Sequence, residues 1–525
     1  MNQNSLWNRF ESAFKKQSEK TALSFLRNGQ LESVLLYGDL LREAGKMAGF
    51  LLESAVKKGD RVILFLPKSV VAVVAHLAVQ KIGAISVPLN PGFTLSEMTY
   101  LMGDAEATMA ITGKEQAFLV RKIDSRIHML EVPTNCPYQK LTFFQHASDL
   151  KIETTITPED PGLMIYTSGT TGKPKGVILT QRNLIHDADT IIRLWEITDR
   201  DILCHGLPLF HIHGLCFALH TALLAGVHTV MLDQFSADQV IRRMSKSEDG
   251  LSCSVFMGVP TMYRQILEKN GPTPRDFKGV RLWTSGSAPL LSADFEKIKD
   301  LLGQEPVERE GMSETGMNFS NPLKEIKKPG SIGLPLPDLE VRIVNPESGE
   351  EVPRGETGEI WLRSPSITPG YWRNPEATEK AFYQGWFRTG DLGKVDEDGY
   401  YFLTDRLKTI IISGGENISP KEVEGVINQV EGVAESAVVG LPDEKWGEKV
   451  VAAVVLKSTG SVDADQIVSF CRRHLHPWKV PKQILVLENL PRNTMGKVLR
   501  EEIKSLFSLH PHGDPVSTKT GVSSA

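Results

Sequence analysis

The chain has 525 residues, a formal net charge of -5 and a pI near 6.3. This length exceeds what a single hydrophobic core usually supports, so we expect two or more domains. The slightly acidic balance provides no basic footprint for nucleic acid or for an anionic membrane surface, so the ligands are expected to be small molecules.

The spacing of the cysteines and the length of the apolar stretches predict in which cellular compartment the protein is located. The five cysteines are scattered and contain no Cys-x-x-Cys pair, which favours a reducing environment. The N-terminal segment lacks the apolar core of a signal peptide, and the apolar stretch Val70–Val79 is too short to cross a bilayer of about 30 Å. We therefore expect a cytoplasmic protein, a monomer or a homodimer, without a membrane span.

Two different sequence patterns follow one another along the first four hundred residues. From about Ile63 to Val230, short β-branched runs alternate with longer amphipathic ones, which predicts α/β layering. Near Glu340 the pattern changes to short strands separated by turn signals. That change predicts a β-rich subdomain packed on the two α/β layers.

A further boundary is predicted at Thr404–Lys408, because a compact pattern with its own helices and strands follows. Ser419–Glu422 has the spacing of a capping box, with Pro420 at the first helical position. The predicted fold class is α/β, with a large composite N-terminal domain and a small α+β C-terminal domain. The predicted ranges are 1–406 and 407–508, followed by a disordered tail at 509–525 that has almost no apolar content.

The segment Tyr166–Gly176 (YTSGTTGKPKG) combines glycines, hydroxyls and two lysines between two apolar strands. Glycines let backbone N–H groups approach an anion, hydroxyls donate hydrogen bonds, and lysines offset phosphate charge. A plain surface turn would explain the glycines but not the lysines and hydroxyls. A P-loop would open a helix after Gly-Lys-Ser/Thr, whereas here Pro174 follows Lys173 and a strand comes next.

This segment resembles the signature loop of the adenylate-forming superfamily, and further similar segments follow in order from about residue 20 to about residue 505. The resemblance implies an AMP-forming acid–CoA ligase with a mobile C-terminal domain. Such an enzyme uses ATP and Mg²⁺ to convert a small carboxylic acid into an acyl-adenylate, and then transfers the acyl group to coenzyme A. The implied phosphate-binding residues are Thr167, Ser168, Gly169, Thr170, Thr171, Gly172, Lys173 and Lys175.

Three segments of the large domain resemble the adenine- and acyl-binding parts of the superfamily. His211, in PLFHIHG, resembles the histidine that gates the acyl pocket; ligation of a metal by His211 and His213 is the alternative. Glu314 resembles the carboxylate that binds Mg²⁺ together with Thr167, and a solvated glutamate is the alternative reading. The remaining implied nucleotide-binding residues are Ser287, Ala288, Pro289, Glu310, Gly311, Met312 and Ser313.

Glu310 departs from the superfamily pattern, which has an aromatic residue before the glycine. A carboxylate there cannot stack on adenine, but it can accept a hydrogen bond from the adenine amino group.

The C-terminal segments resemble the parts of the superfamily that bind ribose and alternate between half-reactions. Asp391 resembles the carboxylate that binds the ribose hydroxyls, Arg406 a residue that reaches ribose or phosphate, and Lys408 the hinge. Lys497, in PRNTMGK, resembles the lysine that is catalytic in adenylation. The Gly414, Gly415 and Glu416 turn is implied to line the pantetheine tunnel.

The acid is harder to predict. Segments such as SGSAPL and LPRNTMGKV resemble the malonyl-CoA synthetase branch, in which a basic residue two positions after the tyrosine of Pro-Thr-x-Tyr pairs with the second carboxylate. Here that position is Gln265, and a buried carboxylate without a cation is costly. We therefore expect a monocarboxylic acid, short to medium in chain length or cyclic, with malonate as the alternative. The implied acyl-binding residues are His211, Val255, Met257, Val259, Gln265, Ser285, Gly286 and Met317.

Two other classes of protein fit the sequence less well. An adenylation module that loads a carrier protein would be followed by a carrier domain, and none follows Phe507. A non-catalytic nucleotide sensor would have lost the residues at positions 497 and 314, and both Lys497 and Glu314 are intact.

Overall fold

The computed structural model describes residues 5–138, 154–167, 173–245, 250–413, 416–444, 446–457, 462–492 and 498–509. The chain folds into two compact units. The first contains Met1–Val341, Trp361–Arg388 and Asp398–Tyr401, and the second contains Arg342–Ile360, Thr389–Glu397 and Phe402–Ala525. None of the helices within the described residues is long and apolar enough to span a membrane.

The first stretch alternates helices and strands, as the hydrophobic patterns predict. Its elements are α1 (Leu6–Lys16), β1 (Thr21–Arg27), β2 (Gln30–Leu36), α2 (Tyr37–Glu53), β3 (Arg61–Phe65), α3 (Val70–Lys81), β4 (Ile85–Pro88), α4 (Leu95–Ala105), β5 (Met109–Gly113), α5 (Lys114–Ile123) and β6 (His128–Val132). The stretch Val70–Val79 is part of helix α3, which begins at a Ser69 side-chain cap and is buried at every residue from Val70 to Gln80.

The second stretch continues the α/β pattern. Its elements are β7 (Pro161–Thr167), β8 (Lys175–Thr180), α6 (Gln181–Leu194), β9 (Ile202–His205), a π-helix (His213–His220), α7 (Thr221–Ala225), β10 (His228–Leu232), α8 (Ala237–Met244), β11 (Val255–Gly258), α9 (Pro260–Leu267), β12 (Leu282–Ser285), α10 (Ser292–Leu302), β13 (Val307–Met312), β14 (Gly316–Ser320) and β15 (Leu334–Pro335).

The third stretch is mainly β, as the turn-rich sequence near Glu340 predicts. Its elements are β16 (Glu340–Val344), β17 (Gly358–Arg363), β18 (Gly370–Tyr371), α11 (Pro375–Ala381), β19 (Phe382–Tyr383), β20 (Trp386–Val395) and β21 (Tyr401–Arg406).

The last stretch is a compact α+β arrangement. Its elements are a 3₁₀ helix (Leu407–Thr409), β22 (Ile411–Ser413), β23 (Glu416–Ile418), α12 (Pro420–Ile427), β24 (Val433–Asp443), β25 (Gly447–Leu456), α13 (Ala464–His474), β26 (Gln483–Leu487) and α14 (Arg500–Leu509). The capping box predicted at Ser419 is the start of α12, where the Ser419 side chain accepts from the N–H of Glu422. The residues of the predicted tail from 510 onwards lie outside the described part of the chain.

Two large sheets form the core of the first unit. One has the order β15-β14-β13-β12-β11-β9-β10-β1-β2 and the other β18-β8-β7-β4-β3-β5-β6. Most neighbouring strands are parallel, and antiparallel pairs occur towards the edges. Buried side chains from both sheets and from helices such as α2 and α3 form one continuous hydrophobic cluster. This α/β architecture confirms the predicted fold class.

Two smaller sheets complete the fold. One has the order β16-β17-β20-β19 with β21 beside β20, and the other has the order β23-β22-β25-β24 with β26 beside β25. The second of these sheets is covered on both faces, by one cluster that includes α12 and α13 and by another that includes α14. Burial of both faces gives this part of the chain a hydrophobic core of its own.

Candidate active site

Parallel strands bring the predicted acyl- and adenine-binding segments to one edge of the nine-stranded sheet. β9, β11, β12 and β13 are neighbours and run parallel, so their carboxyl ends share an edge, where α/β proteins bind ligands. Ser285 is the last residue of β12 and Met312 the last of β13. His211 and Val259 lie in the segments that follow β9 and β11.

The segment after β12 has a strained backbone. Ser287 has a φ of +67°, an uncommon conformation for a residue other than glycine that is often associated with a functional site. Its hydroxyl lies 3.2 Å from Nδ1 of His213. Ser287, Ala288 and Pro289 are exposed, whereas the side chain of Ser285 is buried. The predicted nucleotide-binding residues of this segment therefore face solvent at the strand end.

The two histidines after β9 are neutral at physiological pH. Burial lowers the pKa of His211 to about 4 and lowers the pKa of His213 well below its ordinary value. His213 begins the π-helix, a conformation that is rare and often occurs at functional sites. Within the described residues, no group of three or more His, Cys, Asp or Glu side chains could hold a metal ion.

The predicted phosphate loop connects β7 and β8. Thr167 ends β7 and pairs directly with Lys175 at the start of β8. Nζ of Lys175 lies 5.0 Å from the ring centre of Tyr371, and Nζ of Lys173 lies 5.2 Å from that of Tyr100. Residues Ser168, Gly169, Thr170, Thr171 and Gly172 lie outside the described part of the chain.

Glu314 is tied to this hairpin through Tyr371. The Tyr371 hydroxyl donates to Oε1 of Glu314 at 3.1 Å, and the Glu314 carbonyl accepts from the N–H of Thr368 at 2.7 Å. Burial and then the negative charge of Glu314 raise the pKa of Tyr371, so this hydroxyl remains a donor at neutral pH. Thr167, Lys175, Tyr371 and Glu314 thus form one continuous set of neighbours.

The β13–β14 hairpin holds the predicted adenine-binding residues. Glu310 accepts a hydrogen bond from the side chain of Asn318 at 3.0 Å. A Cβ at Gly311 would lie 2.6 Å from the carbonyl oxygen of Gly316, so only glycine permits this close approach. Met312 and Ser313, at the end of β13, are partly exposed.

The predicted acyl-binding residues differ in burial. Val255, Met257, Val259 and Met317 are all buried.

Gln265, in contrast to these four residues, has a side chain that is exposed on α9. Successive helical residues point about 100° apart, and α9 buries Tyr263 and Ile266, which turns Gln265 towards solvent. Neighbouring Arg264 does not replace it, because its Nε is 2.9 Å from Asp294. The charge of the acyl pocket therefore cannot be inferred from position 265.

The second compact unit contains the predicted ribose-binding and hinge residues. Asp391 is buried, and its Oδ1 is 2.8 Å from Nε of Arg406. Lys408 lies in the 3₁₀ helix and is exposed. Glu416 begins β23 and is exposed. Gly414, Gly415 and Lys497 lie outside the described residues.

Asp405, the residue before Arg406, organises this region. Its carboxylate accepts hydrogen bonds from the N–H of Arg406, the hydroxyl of Thr409, the hydroxyl of Ser419 and the N–H of Lys421. Burial by itself raises the pKa of Asp405, but these hydrogen bonds lower it below its ordinary value. The carboxylate therefore fixes the end of β21 against the start of α12.

Two residues at this site were not found from the sequence. Tyr371 bonds Glu314 from a strand almost sixty positions away, so no local pattern connects the two. Arg309 is a fully buried arginine beside Gly286, where a Cβ would lie 2.6 Å from the arginine Nε. The signal that the sequence offered for Arg309 was a cation two residues before the GMSET segment.

Comparison with known proteins identifies the family of the chain. Residues 10–372 match the AMP-binding enzyme family, and residues 422–497 match the AMP-binding enzyme C-terminal domain. An oxalate–CoA ligase of Arabidopsis thaliana is 33% identical over 97% of this chain and 100% of its own. A mitochondrial malonate–CoA ligase of Mus musculus is 34% identical over 92% and 86%. A long-chain-fatty-acid–CoA ligase of Bacillus subtilis is 32% identical over 92% and 91%.

Solved structures show the same similarity. The crystal structure of ATP-bound MatB from Rhodopseudomonas palustris is 34% identical and superposes with a TM-score of 0.88, covering 95% of this chain and 99% of that one. The matched families span both the large and the small part of the fold. The chain therefore belongs to the AMP-binding enzyme family, within the adenylate-forming superfamily, and is an AMP-forming acid–CoA ligase.

Proposed function

We propose that this ligase works through two half-reactions that share one acyl-binding site. In the first, an oxygen of the substrate carboxylate attacks the α-phosphorus of ATP. A new P–O bond forms, the bond to the β-phosphate oxygen breaks, and pyrophosphate leaves with its electron pair. The products are an acyl-adenylate and pyrophosphate, and no protein nucleophile is required.

The observation that carries this proposal is the connected set Thr167, Lys175, Tyr371 and Glu314. Phosphoryl transfer depends on positioning and on charge stabilisation rather than on covalent help from the protein. Lys175 beside Tyr371 supplies a cation, Thr167 supplies a hydroxyl, and the Tyr371 hydroxyl orients the Glu314 carboxylate. This combination suits the polyphosphate of ATP.

The donor set of Glu314 and Thr167 also suits Mg²⁺. Both offer hard oxygen atoms, which this ion prefers in partnership with phosphate oxygens. When bound, the ion would neutralise negative charge on the departing phosphates. The roles of the chain's own residues are to orient the carboxylate through Tyr371 and to keep a lysine close to it.

The remaining nucleotide contacts follow from the strand ends. Ser287–Pro289 and Glu310–Ser313 lie at the carboxyl ends of β12 and β13, where we assign the adenine site. Glu310 takes the place of an aromatic residue and already accepts from Asn318, so it binds by hydrogen bonds rather than by stacking. Asp391 and Arg406 are assigned to ribose, with Lys497 assigned to the reacting carboxylate and the α-phosphate.

In the second half-reaction, the thiol of coenzyme A attacks the carbonyl carbon of the acyl-adenylate. A C–S bond forms, the bond from the carbonyl carbon to the AMP oxygen breaks, AMP leaves with that electron pair, and the thiol proton is released to solvent. We assign Lys408 as the hinge about which the C-terminal domain (407–508) changes orientation. This change withdraws Lys497 and presents the Gly414, Gly415 and Glu416 turn to the pantetheine arm.

The acid is the finer part of the proposal. Buried Val255, Met257, Val259 and Met317 support a compact apolar acyl pocket and hence a small monocarboxylic acid. Malonate is the alternative. Relatives of nearly equal similarity are named for oxalate, malonate and long-chain fatty acids, so overall similarity does not separate these classes. The charge of the groups buried beside the acyl site is the property that separates them.

A panel of acids tests the proposed reaction. Pyrophosphate release is measured with ATP, Mg²⁺ and one acid at a time, with and without coenzyme A, and acyl-CoA and AMP are quantified by mass spectrometry. We expect single-turnover pyrophosphate release without coenzyme A and steady turnover to acyl-CoA with it.

Two variants localise the reaction. Glu314→Gln should lower pyrophosphate release at least about a hundredfold, as expected for the loss of one charge-stabilising group. Glu296→Gln, an exposed glutamate on α10, should match the wild type. Pyrophosphate release that persists at the wild-type rate in Glu314→Gln would refute the Glu314 assignment.

A further inference from the structure

Tyr100, on helix α4, contacts the end of the predicted phosphate loop. Its hydroxyl donates to the carbonyl oxygen of Pro174 at 2.8 Å. Nζ of Lys173 lies 5.2 Å from the centre of the Tyr100 ring. One side chain from a helix that is distant in the sequence therefore contacts two consecutive residues of the β7–β8 connection.

Asp104, one helical turn after Tyr100, holds the other side of the same hairpin. Residues four positions apart lie on one face of an α-helix. Oδ2 of Asp104 accepts from the hydroxyl of Tyr166 at 2.6 Å, and Tyr166 precedes Thr167 at the end of β7. The carbonyl of Asp104 accepts from the indole N–H of Trp372 at 3.1 Å. One face of α4 thus holds both sides of the β7–β8 hairpin.

Both tyrosine hydroxyls remain protonated at neutral pH. Partial burial and the negative charge of Asp104 raise the pKa of Tyr100. Burial and the hydrogen bond to Asp104 raise the pKa of Tyr166. Because a protonated phenol is a hydrogen-bond donor, the bonds to Pro174 and Asp104 persist throughout the neutral range.

The ring of Tyr100 restricts a lysine that burial leaves free to move. Lys173 is exposed, and a lysine side chain loses rotamer freedom when it binds a phosphate. An ammonium group within about 6 Å of a ring centre is attracted to the face of the ring, so part of that ordering is complete before ATP binds. Lys175 has the same arrangement with Tyr371, at 5.0 Å. Each lysine of this hairpin therefore lies against a tyrosine ring.

We propose that Tyr100 is a positioning residue for adenylate formation, which holds Lys173 where the β- and γ-phosphates of ATP bind. Tyr100 touches no reacting atom and acts through Lys173, while Asp104 fixes the opposite strand through Tyr166. The proposal rests on the proposed function, because it requires Lys173 to bind the polyphosphate. The acyl-adenylate carries no β- or γ-phosphate. The second half-reaction should therefore not depend on Tyr100.

The test compares the two half-reactions in Tyr100→Phe and Tyr100→Leu. Phenylalanine keeps the ring beside Lys173 and removes the hydroxyl, whereas leucine removes both. Pyrophosphate release with malonate or hexanoate gives kcat/KM for ATP, and thioester formation is measured from supplied acyl-adenylate and coenzyme A. We expect kcat/KM for ATP to fall about threefold to tenfold in Tyr100→Phe and about tenfold or more in Tyr100→Leu. Thioester formation should stay at the wild-type rate in both variants.

Nucleotide binding provides a second measurement that needs no acid. Calorimetric titration gives the dissociation constants of ATP with Mg²⁺ and of AMP. Tyr100→Leu should weaken ATP binding and leave AMP binding unchanged, because AMP lacks the two outer phosphates. In a Lys173→Ala background, Tyr100→Leu should have little further effect on ATP binding, since residues that act through one another are not additive.

Tyr138→Phe is a matched control. The Tyr138 hydroxyl donates to Oε2 of Glu43 at 3.1 Å, so the substitution removes one tyrosine hydrogen bond from the first unit but none from the β7–β8 hairpin. This variant should bind ATP and AMP as the wild type does, and should catalyse both half-reactions normally, even where its Tm is lower.

The outcomes are distinct. An unchanged kcat/KM for ATP in Tyr100→Leu would overturn the proposal. Equal losses in the two half-reactions, or equal weakening of ATP and AMP binding, would also overturn it, because they indicate a general structural role. Absence of pyrophosphate release by the wild type with every acid would instead refute the proposed function.

Discussion

Glu308, the residue before Arg309, shows how burial of a single carboxyl group affects stability. Its side chain is 7% exposed, and Oε1 accepts from the N–H of Gly330 at 2.9 Å. Burial raises the pKa of Glu308 to about 8, against a smaller opposing effect of that hydrogen bond. The folded protein therefore keeps a proton that the unfolded chain releases near its ordinary pKa of about 4.5.

The sign of the pH dependence follows from proton counting. Between about pH 4.5 and pH 8, the unfolded state binds fewer protons at Glu308 than the folded state does, so a rise in pH destabilises the fold at this site. Glu308→Gln keeps an acceptor for Gly330 and cannot ionise. We expect the variant to gain stability relative to the wild type by on the order of a few kcal/mol as pH rises from about 5 to about 8.5. Thermal unfolding of both proteins across this range measures the difference; a Tm difference that does not change with pH would contradict it.

At the same scale, the direction of single side chains bears on the predicted acyl site. The sequence placed Gln265 in the pocket on the basis of its distance from Tyr263, whereas α9 turns it to solvent. Arg309 was overlooked because the sequence of a short strand does not show to which face of the sheet a single arginine side chain points. Only the pairing of β13 with β12 shows that this side chain packs against Gly286.

At the scale of elements, the β13–β14 hairpin depends on a glycine. At Gly311 a Cβ would lie 2.6 Å from the Gly316 carbonyl oxygen and 3.0 Å from the Met317 Cα, and these are backbone atoms that cannot simply rotate away. We expect Gly311→Ala to lower Tm and to raise KM for ATP, because the adjacent strand end contributes the assigned adenine site. Circular dichroism and pyrophosphate kinetics measure the two effects.

Gly103 is a matched control for this substitution. It lies in the interior of α4, is exposed, and has no atom within 4 Å of an added Cβ. Alanine is favoured over glycine in a helix by roughly 0.5–1 kcal/mol, so Gly103→Ala should raise Tm slightly and leave KM unchanged. Equal effects of the two substitutions would show that the close approach at Gly311 is not limiting.

At the scale of the whole molecule, the proposed hinge separates the two half-reactions. Proline at position 408 fixes φ and removes the N–H, which should hinder rotation of the C-terminal domain without touching the groups assigned to adenylation. Lys408→Pro is expected to release pyrophosphate in one burst and to form little thioester, whereas Lys408→Ala should turn over normally. Rapid-quench measurement of both steps checks this. Thioester formation by Lys408→Pro near the wild-type rate would place the hinge elsewhere.

Lys497→Ala should have the opposite effect, because that lysine is assigned to one orientation only. Adenylate formation should be lost, while supplied acyl-adenylate and coenzyme A should still give thioester. Lys408→Pro should lose thioester formation and Lys497→Ala should lose adenylate formation. A general loss of stability would not produce these opposite results.

The sequence alone determined the class of reaction. The phosphate loop, the GMSET segment and the C-terminal lysine motif are each a continuous run of residues. The chemistry of each run depends on residue types within a few positions, so the sequence was sufficient to identify it. The alternation of α and β patterns also determined the fold class, because hydrophobic periodicity is local.

Tertiary structure decided which side chains meet. The bond from Tyr371 to Glu314 joins strands far apart in sequence, and the burial of Arg309 depends on β12, β13 and the π-helix together. Side-chain direction is set by strand pairing and helix rotation across such distances, and a shift of one residue turns a side chain from solvent to core. For this reason the ligase chemistry was readable from the sequence, whereas the neighbours of each side chain required the fold.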